Sequence, residues 1–198
     1  MSQELWWYTV RATGLVAWLL VTAAVVWGLL LSLRRTPSPR PAWMLDLHRY
    51  LGGLALLFVV AHVGALACDS FVGFDWDDLL VPYASDWRPG AVAWGIAAAY
   101  LLVAVEVTSL VMRRVRKGLW HAVHLLSYVV FVAVTVHALL AGADADEPFF
   151  LVFAIASGSL VALLTLARVF FRAAPAPKSR PELPARAPAT EPVDELVP

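Results

Sequence analysis

Five apolar stretches, at about residues 6–33, 46–68, 91–112, 119–141 and 149–171, are each long enough to cross a lipid bilayer. At ~1.5 Å rise per residue each covers the ~30 Å hydrocarbon core, and the first has length to spare for tilt. In lipid every backbone polar group needs an internal partner, so such runs can only be helical. The fold class expected is therefore all-α, a polytopic transmembrane bundle of about five spans. Composition agrees: 61% of residues are hydrophobic and 15% charged, where soluble chains run near 45–50% and ~25%. The single cysteine, Cys68, excludes an internal disulfide framework, a Cys-rich zinc site and a Cys-ligated iron–sulfur cluster. No basic domain exists to hold nucleic acid. The first stretch is read as a span rather than a cleaved signal peptide, because it lacks a basic leading region and a small-residue cleavage site.

The formal net charge of 0 hides a strong asymmetry among the connections. Arg34, Arg35, Arg40 and Arg49 lie between spans one and two, where Pro37, Pro39 and Pro41 stiffen the loop. Arg113, Arg114, Arg116 and Lys117 lie between spans three and four, and Arg172, Lys178, Arg180 and Arg186 follow span five. The other two loops are acidic, with Asp69, Asp75, Asp77, Asp78 and Asp86 in one and Asp144, Asp146 and Glu147 in the other. The positive-inside bias puts the N-terminus outside and the C-terminus in the cytoplasm. Loop 69–90 is aromatic as well as acidic (Phe71, Phe74, Trp76, Tyr83, Trp87), so it is expected to lie at the membrane interface and cap the outer face. Residues 172–198, rich in Pro, Ala and charge, cannot bury enough surface to offset their ordering entropy and read as a disordered cytoplasmic tail after a 1–171 membrane domain.

Four of the five histidines fall inside two spans. His48 and His62 are fourteen positions apart on the second span, and His124 and His137 thirteen apart on the fourth. Ionisable side chains at membrane depth are rare and usually functional. Both spans run in the same direction, so His48 and His124 come out near the inner face, and His62 and His137 near the outer face. The two levels are ~20 Å apart along the axis. A lone helical histidine is most simply a packing or interface residue; two pairs at matching depths make two bis-histidine sites. Zinc wants four ligands or an open water position, and no Cys, Asp or Glu lies beside these histidines in either span. A haem iron wants two axial nitrogens, with the porphyrin filling apolar space between helices. Fourteen residues return to within about 40° of the starting direction, so His48 and His62 share a face. Thirteen residues do not, and a locally tightened turn, side-chain reach or differently oriented haems must absorb the difference.

The pattern His48-Arg49-(x12)-His62 in one span and Trp120-x3-His124-(x12)-His137 two spans later resembles the ferric-reductase-like transmembrane domain. That superfamily includes ferric reductases, the membrane half of NADPH oxidases and the haem-binding subunit of bacterial methionine-sulfoxide reductase. The resemblance covers roughly residues 10–171, although members often have six spans. It implies two b-type haems, the inner held by His48 and His124 and the outer by His62 and His137, in a bacterial cytoplasmic membrane. It also implies electron transfer to an extracytoplasmic acceptor, ferric iron or a periplasmic oxidoreductase partner, with dioxygen also open. The chain carries no Gly-rich dinucleotide fingerprint, so the donor is expected to be a separate cytoplasmic flavin reductase, a flavin bound at the inner face, or quinol. The rivals are a non-redox membrane haem or metal transporter or sensor, and a scaffold with incidental histidines.

Several residues keep two readings. Arg49 pairs with a haem propionate or anchors the inner face; Arg11, inside the outer end of span one, snorkels outward or meets an outer propionate. His121, one turn before His124, is an interfacial residue, a rival ligand or a propionate partner. Gly52 admits the porphyrin or serves helix packing. Glu106 reaches the basic inner surface or handles protons. Trp94, Tyr100 and Tyr128 read as packing aromatics, and Cys68 as a small buried hydrophobe.

Overall fold

A computed structural model of the chain describes residues 3–33, 41–70 and 72–171. The expectations for Arg34, Arg35, Arg40, Phe71 and the 172–198 tail lie outside those residues. Among the described residues seven helices follow in order: α1 (Gln3–Leu33), α2 (Ala42–Cys68), α3 (Trp76–Leu80), α4 (Pro89–Leu110), α5 (Lys117–Leu125), α6 (Ser127–Ala141) and α7 (Pro148–Phe170). No strand occurs among the described residues. Five spans among these residues are long and apolar enough to cross a membrane, α5 and α6 together forming the fourth. All five coincide with the stretches read from the sequence.

The second span begins at Ala42, a turn earlier than expected. Trp43 and Met44 explain this. The Trp27 indole N–H donates to the Met44 carbonyl at 2.8 Å, and the Trp27 and Trp43 rings lie 6.0 Å apart, so α1 holds the first turn of α2. Prolines open α4 and α7 at positions where a missing N–H costs nothing. Asp75 and Asp78 form a reciprocal capping box on the short α3.

α1 packs most extensively on α2, and α4 on α6, while α1 also touches α6 and α7. Lipid tails are as apolar as leucine, so contacts between spans depend on close packing and interhelical hydrogen bonds. The buried set suits that: Ala17, Ala55, Ala65, Ala91, Ala93, Ala98, Ala133 and Ala154 let backbones approach. Val21, Leu29, Leu102, Val130, Phe131 and Val161 fill the centre. The Trp18 indole N–H donates to Thr135 Oγ1 at 3.0 Å, tying α1 to α6. Large apolar side chains such as Leu57, Val60, Ile155, Leu163 and Val169 face outward, as a lipid-solvated surface requires.

The fourth span is broken at Leu126, between its two histidines. The Leu126 N–H bonds to the Val123 carbonyl, three residues back, at 3.0 Å. A turn of this tighter kind advances ~120° per residue rather than ~100°. It therefore takes up part of the angular misfit that thirteen residues leave between His124 and His137.

Candidate functional site

The bundle has an acidic end, where α2 meets α3 and α6 meets α7, and a basic end, where Arg113, Arg114, Arg116 and Lys117 join α4 to α5. A histidine pair stands toward each end. At the acidic end the rings of His62 (α2) and His137 (α6) are 6.4 Å apart, centre to centre, at 80°. At the basic end His48 (α2) and His124 (α5) are 5.9 Å apart at 77°. The sequence pairing is thus the spatial pairing. Among the described residues no cluster of three or more His, Cys, Asp or Glu is arranged to hold a metal ion, so neither pair has a third protein ligand.

The acidic-end pair is oriented by backbone. His62 Nδ1 lies 2.9 Å from the Val10 carbonyl of α1, and His137 Nδ1 lies 2.8 Å from the Ala91 carbonyl of α4. A carbonyl can only accept, so Nδ1 of each ring carries the proton and Nε2 keeps its lone pair. This is the arrangement that metal-ligating histidines adopt, with one nitrogen tied to a carbonyl and the other free to ligate. At the basic end Nδ1 of both His48 and His124 is buried without a hydrogen bond. There Trp120 stacks on His124, ring centres 5.2 Å apart at 19°, and fixes the ring by its face.

A cavity of about 620 Å³ surrounds His62 and His137, within the ~300–1,000 Å³ range of cofactor and ligand sites. Its inner wall is apolar, with Trp18, Val21, Val59, Leu102 and Val130 among the lining. Phe74, Leu79 and Trp87, between α2 and α4, also contribute to the lining, whereas Trp76 and Tyr83 are exposed. The Phe74 and Trp87 rings meet edge to face at 6.0 Å, and the Tyr100 hydroxyl donates to the Leu80 carbonyl at 2.6 Å.

Arg11 reaches this cavity rather than open solvent. Its Nη2 pairs with Asp144 Oδ1, its Nε donates to Oδ2 at 3.2 Å, and its guanidinium lies 4.2 Å from the Trp7 ring centre. Arg88 also lines the cavity, in a left-handed backbone conformation (φ 42°, ψ 58°) that aims its Nη1 at the Leu140 carbonyl, 2.7 Å away. Sequence reasoning missed Arg88 and Asp144. Arg88 had a legible signature, being the lone cation among the five aspartates of segment 69–90.

The other candidates separate from the pairs. Arg49 pairs with Asp46 one turn earlier on α2, 3.4 Å away and exposed. His121 lines a different crevice of about 320 Å³, between α5–α6 and α7, with Tyr128, Thr165 and Arg168. The space at Gly52 is taken by the Glu106 carboxylate, which a Cβ there would strike. Glu106 thus leans across to α2, one turn from His48, instead of reaching the basic surface.

Residues 13–135, more than half of the chain, match the model of the family described as ferric reductase like transmembrane component. The match takes in His48, His62 and His124 and stops two residues before His137. No curated protein and no solved structure gives a significant match.

Proposed function

The chain belongs to the ferric reductase-like transmembrane component family, and from that premise we propose that it carries electrons across the membrane through two bis-histidine b-type haems. The observation that carries the reading is the pair of ring separations, 5.9 and 6.4 Å, at two depths. Two imidazoles standing this close would hold a single metal centre between them. With only two protein ligands at each level, the remaining coordination suits a tetrapyrrole better than a bare ion. The residues at the acidic end fit that group in one further way: a cavity of about 620 Å³ with a mainly apolar lining surrounds the pair. Bound bis-histidine haem supplies reversible one-electron chemistry with no vacant iron position.

The chain's own part is to hold and insulate. The Val10 and Ala91 carbonyls keep Nε2 of His62 and His137 unprotonated. The mainly apolar lining, Trp18, Trp87 and Phe74 included, disfavours water beside the centre. We read the His48–His124 level as the cytoplasmic one and the His62–His137 level as the outer one, a reading that the charge asymmetry of the loops supports. The fourteen residues from His48 to His62 set the levels ~21 Å apart along α2. Electrons enter at the inner level from a separate cytoplasmic reductase, a flavin at that face, or quinol. They leave at the outer level to ferric iron or an extracytoplasmic oxidoreductase partner.

The test uses sealed liposomes containing the haem-loaded protein, ferricyanide trapped inside and dithionite added outside. Wild type should reduce the trapped ferricyanide far faster than protein-free liposomes do, and His62→Ala and His137→Ala should abolish the difference. Equal rates in loaded and empty liposomes, or undiminished rates in both variants, would refute the proposal.

A further inference from the structure

Three of the four paired histidine rings rest against a glycine on a neighbouring helix. A Cβ on Gly14 would lie 3.0 Å from Cε1 and Nδ1 of His62, one on Gly28 would lie 3.0 Å from Cε1 of His48, and one on Gly95 would lie 2.7 Å from Cε1 and Nδ1 of His137. Carbon atoms in contact settle at ~3.5–4.0 Å, so a methyl at Gly14 or Gly28 would make the ring give way slightly, and one at Gly95 would make it shift. Four residues before each glycine comes the carbonyl that faces the same ring. These are Val10 for His62, Ala91 for His137 and Ala24 for His48. The third is looser, since His48 Nδ1 falls outside hydrogen-bonding geometry.

Helix geometry explains the spacing. Side chains tilt toward the helix N-terminus, so a Cβ at position i+4 leans over the carbonyl of residue i. That carbonyl already accepts the i+4 amide and has a second lone pair. Glycine at i+4 uncovers it to a donor from the next helix. Gly14 and Gly28 are fourteen residues apart on α1, as His48 and His62 are on α2, so one antiparallel register serves both rings. The fourth ring departs from this. Thirteen residues beyond Gly95, matching the His124–His137 interval, stands Thr108, whose hydroxyl donates to the Ala104 carbonyl at 2.7 Å. His124, with no Nδ1 partner, is held by the Trp120 face instead.

We propose that Gly14, Gly28 and Gly95 are positioning residues: each seats the ring of one histidine and sets its plane, and at Gly14 and Gly95 the seat also fixes the tautomer so that Nε2 is the ligating nitrogen. The proposal rests on the bis-histidine reading for its purpose, but the seats are present without any bound group. His124 is the one ligand without such a seat.

Each glycine is replaced singly by alanine. Gly53→Ala and Gly64→Ala, where an added Cβ meets nothing within 4 Å, serve as matched controls on α2. In haem-loaded protein, Gly14→Ala and Gly95→Ala should each lower haem from two per chain toward one, or shift the low-spin electron paramagnetic resonance signal of the outer centre alone. Gly28→Ala should act on the inner centre, and the controls should keep both. In haem-free protein, nitrogen-15 NMR of labelled histidine should show Nδ1–H on His62 and His137, and loss of that preference on the seat's own ring in Gly14→Ala and Gly95→Ala. Wild-type spectra, haem content and tautomers in both alanine variants overturn the proposal. So does a wild-type protein protonated at Nε2 of His62 and His137, a result that needs no variant to accumulate. A wild-type protein with the Nδ1–H tautomers that takes up no haem supports the seats and refutes the dihaem reading instead.

Discussion

Asp144→Asn tests how α1 is tied to the α6–α7 connection beside the cavity at the acidic end. The Arg11 and Asp144 side chains are 31% and 23% exposed, between surface and interior, and meet through two guanidinium–carboxylate contacts. Exposed pairs contribute ~0.2–1 kcal/mol, and removing one partner of a buried pair costs ~3–5 kcal/mol. A half-buried two-point pair should therefore couple by about 1–2 kcal/mol. A chain of this size loses ~2–4 °C of Tm per kcal/mol, so each single variant should melt roughly 2–8 °C lower. The assay is a double-variant cycle in detergent with Arg11→Gln, Asp144→Asn and both together. The double variant should be less destabilised than the summed singles by that coupling. Because the pair is half-buried, high salt should shrink the coupling only partly. Additivity within ~0.3–0.5 kcal/mol would refute the reasoning and make the pair a solvated surface contact.

His121→Ala should leave haem content and the spectra of both centres unchanged, because His121 faces the Tyr128–Arg168 crevice and not His48. Loss of one centre in that variant would make His121 a ligand and displace His124. Thr135→Val should remove the Trp18 hydrogen bond between α1 and α6 and cost about 0.6 kcal/mol, at most ~1.7 kcal/mol. An unchanged denaturation midpoint would mean the indole N–H finds another acceptor.

The five spans were legible because lipid leaves an apolar run of about twenty residues one backbone solution. The histidine pairs were legible because spacing and span direction together match His48 with His124 and His62 with His137, and those are the rings that stand together. The break at Leu126 was foreseen only as one way to absorb a misfit. Its place was hidden because Leu125, Leu126 and Ser127 carry no glycine or proline to mark it. Arg11 was noticed as an oddity, but its partner lies 133 residues away and only the packing of α1 beside the α6–α7 connection brings them together. The glycine seats left a trace, the fourteen-residue interval of Gly14 and Gly28 that repeats that of His48 and His62. It becomes meaningful only once α1 and α2 are known to be neighbours.

The central claim is that each histidine pair ligates one haem iron. Its most direct test is haem quantified per chain, with oxidised and dithionite-reduced optical spectra, on wild type and His137→Ala expressed with ample haem. Two low-spin b-type haems per wild-type chain, falling to one in His137→Ala, are the expected result. No haem in wild type, or two low-spin haems surviving in His137→Ala, would contradict it.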